Sequence, residues 1–262
     1  MEARSKLKHV IASIFAVTAM IAGAPALAQS EFGAGDEGTT VQITPYVWAS
    51  GFGGTIRPGS AAPSLQVDKS FGELLKDIDA AFFVSGLVKH DRFVAVADFT
   101  HASSSRDAMV PTGNPALPVV PAEGGLRQTS MTVLAGYRAV DQDDLSLDLL
   151  AGGRAWWIRP KVTVPALDLS VSAKASFVDP VAAARLNVKA SPRWSVLLYG
   201  DIGGFGVGSD FTGQVMATAN FRVAEQIWLS GGYRYLHVDY KSENVRASAT
   251  LAGPLLGATF VF

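Results

Sequence analysis

The chain has 262 residues, 48% of them hydrophobic and 17% charged, with a formal net charge of −1. So low a charge content argues against an ordinary soluble enzyme, where about a quarter is usual, and the absence of a basic patch argues against nucleic acid as a partner. There is no Cys, which removes disulfides and thiolate chemistry. No apolar stretch of 18 residues follows residue 30, so no helix is long enough to cross a bilayer.

In chain order, Arg4, Lys6 and Lys8 open a positive segment, and Val10 to Ala22 is an apolar run. Ala26-Leu27-Ala28 then supplies a small-x-small site. This is the pattern of a secretory signal peptide over residues 1–28, with cleavage expected after Ala28. Residues 29–40, rich in Gly and acid, read as a flexible lead-in. The remainder, 41–262, reads as one domain.

From residue 41 onward the dominant period is two. Met131, Val133, Ala135 and Tyr137 share a face opposite Ser130, Thr132 and Arg138. Leu145, Leu147, Leu149, Ala151, Gly153, Ala155 and Trp157 oppose Ser146, Asp148 and Arg154. Ala182, Ala184, Leu186 and Val188 oppose Arg185, Asn187 and Lys189. Phe211, Val215, Ala217, Ala219 and Phe221 oppose Thr212, Gln214, Thr218, Asn220 and Arg222. Sustained alternation is a strand signal, and these runs reach the roughly 9–11 residues that a tilted membrane strand needs. The pattern predicts ten main strands, near 41–51, 80–90, 92–104, 125–138, 144–158, 178–190, 193–206, 211–223, 226–240 and 246–262. Twelve or eight are the alternatives.

The connections alternate in kind. Those at 90–92, 139–143, 190–193 and 223–226 are short and polar, whereas 51–79, 105–124 and 159–177 are long. Short periplasmic turns and longer external loops belong to an antiparallel up-and-down outer-membrane β-barrel. Such a barrel pairs every backbone group internally without an edge. In the first long connection SFGELLKDID (70–79) reads as a short helix, with Ser70 and Glu73 spaced as a capping box. In the second, Pro111, Pro115, Pro118 and Pro121 predict that no regular ladder forms.

Tyr46, Trp48, Trp156, Trp157, Trp194, Trp228, Tyr233, Tyr235 and Tyr240 lie near strand ends and read as interfacial girdles. Leu256, Ala258, Phe260 and Phe262 share a face of the last strand. Phe260 and Phe262 there resemble the terminal signal read by the barrel-assembly machinery.

The faces opposite the lipid hold Asp98, Arg138, Asp148, Arg154, Arg185, Lys189, Asp201, Arg222 and Arg234. Charges in a narrow lumen need partners, and about eight strands leave a lumen just filled by side chains. A salt-bridged internal brace is therefore one reading, and a narrow, weakly anion-selective pore the other. Catalysis is not expected. His101, followed by Ser103, Ser104 and Ser105, and His237, followed by Asp239, fall on nonadjacent strands in outward phase. GDIGGFGVGSD (200–210) lacks the Lys-Ser/Thr and the helix of a phosphate loop. No cofactor or metal site is indicated.

From about residue 44 onward the chain resembles a family of uncharacterised proteobacterial outer-membrane β-barrel proteins. The motifs that carry the resemblance are VDP with Arg185 (178–180), GDIGGFGVGSD (200–210), GYRYLHVDY (232–240) and GPLLGATFVF (253–262), with Ala183-Ala184 a departure from the usual step before that Arg. The resemblance implies a barrel in the Gram-negative outer membrane, with membrane lipid, the export translocon and the assembly machinery as its partners. It implies no activity.

Overall fold

A computed structural model describes residues 38–58, 65–73, 78–114, 117–172, 174–241 and 245–262. The expected signal segment, its cleavage site and most of the lead-in lie outside them. Among the described residues the chain is almost wholly antiparallel β, and no described helix is long and apolar enough to cross a membrane.

Ten strands close a barrel: β1 (Thr39–Trp48), β4 (Ile78–His90), β5 (Phe93–Asn114), β6 (Leu117–Asp141), β7 (Leu145–Val164), β9 (Ala175–Ser191), β10 (Trp194–Gly203), β11 (Phe211–Ala224), β12 (Ile227–Lys241) and β13 (Val245–Val261). Each pairs with the next in this order, and β13 returns to β1. At the seam the Val41 N–H donates to the Phe262 carbonyl at 3.0 Å, and the Phe262 N–H to the Val41 carbonyl at 2.8 Å. Ten is the expected count. The three remaining strands, β2 (Gly51–Pro58), β3 (Leu65–Lys69) and β8 (Leu169–Ser172), extend the wall at one end. After a break at Ala49 and Ser50, β2 runs on along β13 and carries β3, while β8 pairs with the far end of β7.

The second long connection departs from expectation. β5 and β6 stay in register to Val110↔Val120 and Pro111↔Val119, with Pro121 opposite Met109. The ladder tolerates these prolines because β6 meets β7 only from Glu123 onward. Beyond that point each strand has one neighbour, so a proline nitrogen on the open side removes no ladder bond. From Ser104, the last partner of β4, the hairpin extends about 30 Å along its strands, at ~3.4 Å per residue.

Half of the capping box forms: the Ser70 N–H and Oγ both donate to Glu73 Oε2, at 2.9 and 2.7 Å, while the Glu73 N–H donates to the Ser70 carbonyl at 3.1 Å and not to its hydroxyl. Helix follows over 71–73; residues 74–77 lie outside the described residues, and Ile78 and Asp79 belong to β4, not to a helix. At its other boundary β1 begins at Thr39, two residues inside the expected lead-in. β10 stops at Gly203, three residues before the expected end at 206, because the chain turns there through positive φ at Gly204, Phe205 and Gly206.

The outward face is as apolar as the alternation predicts. Phe93, Val133, Leu149, Val178, Leu198, Val215, Leu229 and Leu256 are exposed on it. Phe260 and Phe262 share the parity of Leu256.

Candidate functional site

The inward face builds the site. Near the short-turn end, Asp148 is wholly buried and serves two guanidinium groups: Arg138 Nε donates at 2.8 Å and Arg185 Nη1 at 3.1 Å. Arg138 also lies 3.5 Å from Asp141. Register explains the trio, since Asp148 faces Arg138 on β6 and Arg185 on β9.

Further along the barrel, Arg154 is 2% exposed and donates from Nε to Thr132 at 3.0 Å and from Nη1 to Thr212 at 3.1 Å. Both of its terminal nitrogens donate to Asp201, a bidentate pair, and the Tyr199 hydroxyl donates to Asp201 at 2.8 Å. Asp98 lies in the same cross-strand row, Asp98–Thr132–Arg154. It accepts from Tyr46 at 2.8 Å and from Arg234 at 3.3 Å, and Arg234 also donates to Gln214 and to the Tyr46 hydroxyl. This ion pair spans 136 residues and joins β5 to β12 across the lumen. Bidentate guanidinium–carboxylate contacts are the strong form of such pairs.

Beyond these rows Trp48, Trp156, Leu236, Val238 and Leu255 form a buried apolar plug, with the Arg234 guanidinium 4.7 Å from the Trp48 ring. Trp156, Phe177 and Tyr240 stack in sequence. Along one wall Leu87, Val94, Leu134, Leu150, Val181 and Tyr199 pack together. The lumen is therefore filled by apolar groups as well as by charges. A cavity of about 140 Å³ remains between Leu87 and Leu134 on one side and Gln214, Thr218 and Ser230 on the other. That is room for several waters.

Seven of the nine expected lumen charges join these contacts: Asp98, Arg138, Asp148, Arg154, Arg185, Asp201 and Arg234. Lys189 is half-buried, four residues along β9 from Arg185, and Arg222 lies over the Trp228 ring at 5.8 Å; neither joins the ion pairs described above. The sequence places Thr132 and Thr212 on the inward polar face but does not assign them, Tyr46 or Tyr199 to the network. For Tyr199, Thr132 and Thr212 the available signal is parity with an inward charge on the same strand; β1 carries no charge, so Tyr46 has no such signal. The same parity corrects the aromatic assignment. Trp48, Trp156 and Trp228 are buried inside, and Tyr46 and Tyr240 are engaged there, whereas Trp157, Trp194, Tyr233 and Tyr235 are exposed outside as expected.

The Gly-rich motif is a structural lock. The Gly204 N–H donates to the Pro180 carbonyl at 3.1 Å, and the Ser209 N–H to Asp179 Oδ1 at 2.6 Å. At Gly208 a Cβ would meet the Val178 carbonyl at 2.5 Å and Asp179 Oδ1 at 2.7 Å, a close approach that only Gly permits. The VDP and GDIGGFGVGSD motifs thus meet at one end of β9 and β10.

No catalytic set is assembled among the described residues. His101 Nδ1 pairs with Thr129, and His237 Nδ1 with Thr250, both at 2.8 Å. His237 also lies 3.2 Å from Asp239. His101 and Asp239 have the outward parity on β5 and β12, strands that β4, β1 and β13 separate in the wall, so His101 does not meet Asp239. No group of three or more His, Cys, Asp or Glu fit to hold a metal occurs among the described residues.

No family model matches the chain, and no curated protein does. Solved structures do. The outer membrane protease OmpT of Escherichia coli aligns with a TM-score of 0.51 at 9% identity, over 86% of this chain and 97% of that one. Ail, the attachment invasion locus protein of Yersinia pestis, aligns at 0.40 and 13% identity, over 87% and 100%. Neisserial surface protein A aligns at 0.31 and 12%, over 85% and 96%. At these identities the likeness is one of fold: the chain is an antiparallel β-barrel of the outer-membrane type.

Proposed function

We propose that the chain is an exported protein of the Gram-negative outer membrane, and that its barrel is a closed, internally braced support for external hairpins. Its role is structural or one of surface interaction, without catalysis. The observation that carries this reading is the lumen filling: Arg154 with Asp201, and Asp148 with Arg138 and Arg185, are buried ion-paired layers, and an apolar plug lies beyond them. Three wall extensions, β2–β3, the β5–β6 hairpin and β8, stand at the end away from the short turns, where external loops belong. Residues 1–28 supply the export signal, and outward Phe260 and Phe262 the contact for the assembly machinery. A narrow pore is the second reading. The cavity of about 140 Å³ favours it, and the ion-paired side chains that line it, Asp98, Arg154, Arg185 and Arg234, oppose it.

Proteinase K added to intact cells tests the placement. It should remove the tip of the β5–β6 hairpin while the remaining barrel keeps its heat-dependent gel shift. Resistance in intact cells, with cleavage only after the periplasm is opened, would contradict the orientation.

A further inference from the structure

The lipid-facing wall ends in an unusual way on one side. On β7 the outward positions 145, 147, 149, 151, 153, 155 and 157 are Leu, Leu, Leu, Ala, Gly, Ala and Trp. At ~3.4 Å per residue and a tilt of about 40°, that run covers roughly 30 Å of height, close to the apolar band of such barrels. The next two outward positions are Arg159 and Lys161, and on β6 Arg127 is the register partner of Arg159. All three are exposed. Two arginines thus face each other across adjacent strands immediately beyond Trp157, with Lys161 two residues further on the same face.

Like charges directly opposite on a sheet are destabilising, so this arrangement favours an anion between them. Of the nearby carboxylates, Asp79 accepts from Ser105 at 2.8 Å, and Glu123 and its partner Asp107 lie one outward position beyond the level of Lys161 and form no ion pair with the three cations. His101 of β5, outward and near this level, is held by Thr129. Guanidinium groups match phosphate oxygens bidentately, and directly opposed side chains have Cβ atoms about 5 Å apart, close enough for both to grip one phosphate. Height, charge and geometry converge at the headgroup level of the outer leaflet.

We propose that Arg127, Arg159 and Lys161 form a docking site for the phosphate-bearing headgroup of an outer-leaflet lipid. The site rests on the outer-membrane placement above. It does not depend on whether the lumen is closed.

The test uses the full folded barrel in zwitterionic detergent, with diphosphoryl lipid A as probe and its dephosphorylated form as control. At about fivefold per cation near a charged surface, the R127Q/R159Q/K161Q variant should bind the phosphorylated probe on the order of 100-fold more weakly. Its heat-dependent gel shift should be retained, since all three side chains are exposed. An R92Q/R193Q variant, which removes exposed cations from the short-turn end, should bind as the parent does. Equal binding by the triple variant, equal loss in R92Q/R193Q, no preference for the phosphorylated probe, or full displacement by millimolar inorganic phosphate would each overturn the proposal. Because the assay is in micelles, such a failure leaves the orientation and the closed lumen to their own tests.

Discussion

Replacing Asp148 with Ala is expected to destabilise the folded barrel by about 3–5 kcal/mol, because it leaves two guanidinium groups facing an apolar gap. Asp148 is 0% exposed, and it is the carboxylate shared by Arg138 and Arg185. Arg138 keeps Asp141 at 3.5 Å, so Arg185 carries most of the loss. The effect is asymmetric. Replacing all three members with apolar residues of similar volume should cost far less than removing the carboxylate alone, since two charges no longer have to be desolvated. Urea titration in detergent, followed by tryptophan fluorescence and by the gel shift, measures both. A D148A barrel as stable as the parent would show that the trio does not brace the wall.

The second large effect is expected at Arg154. Its guanidinium bridges four strands: β7, which carries it, β6 through Thr132, β10 through Asp201 and β11 through Thr212. R154M should cost about 3–5 kcal/mol, leaving Asp201 buried with Tyr199 as its remaining described partner. R154K should recover only part of this, because an ammonium is a point charge and cannot reproduce the fork. A cycle with D201L should give a coupling energy of about 0.5–3 kcal/mol, as for directly bonded partners. A coupling near zero would mean that the two side chains do not meet in the folded protein.

Much of this architecture was legible in the sequence, since a two-residue period fixes faces as well as strands. The row Leu145 to Trp157 displays its lipid face directly, and Asp148 and Arg154 sit on the other. The short turns between β4 and β5, β6 and β7, β9 and β10, and β11 and β12 made ten strands countable. What failed had physical causes. Proline excludes a regular ladder only where both sides of a strand are paired, and above Glu123 one side of the β5–β6 hairpin is open. Nearness to a strand end does not by itself place Trp48 and Trp156 in the girdle: Trp156 and Trp157 are adjacent and must point to opposite faces. The ion pair between Asp98 and Arg234 joins residues far apart in the chain, and no local pattern reports which strands face each other across a closed wall. Asp179 was visible only as part of a motif, and its bond to the Ser209 N–H needed the loop's positive-φ turn to be seen.

The central claim is that ion-paired layers and an apolar plug close the lumen. Single-channel recording from folded parent protein in a planar bilayer tests it most directly. A closed barrel predicts no reproducible conductance steps over hours of recording at moderate voltage. Regular steps in the parent that disappear in R154M or R185M would contradict it, and would make the same arginines the lining of a conducting path.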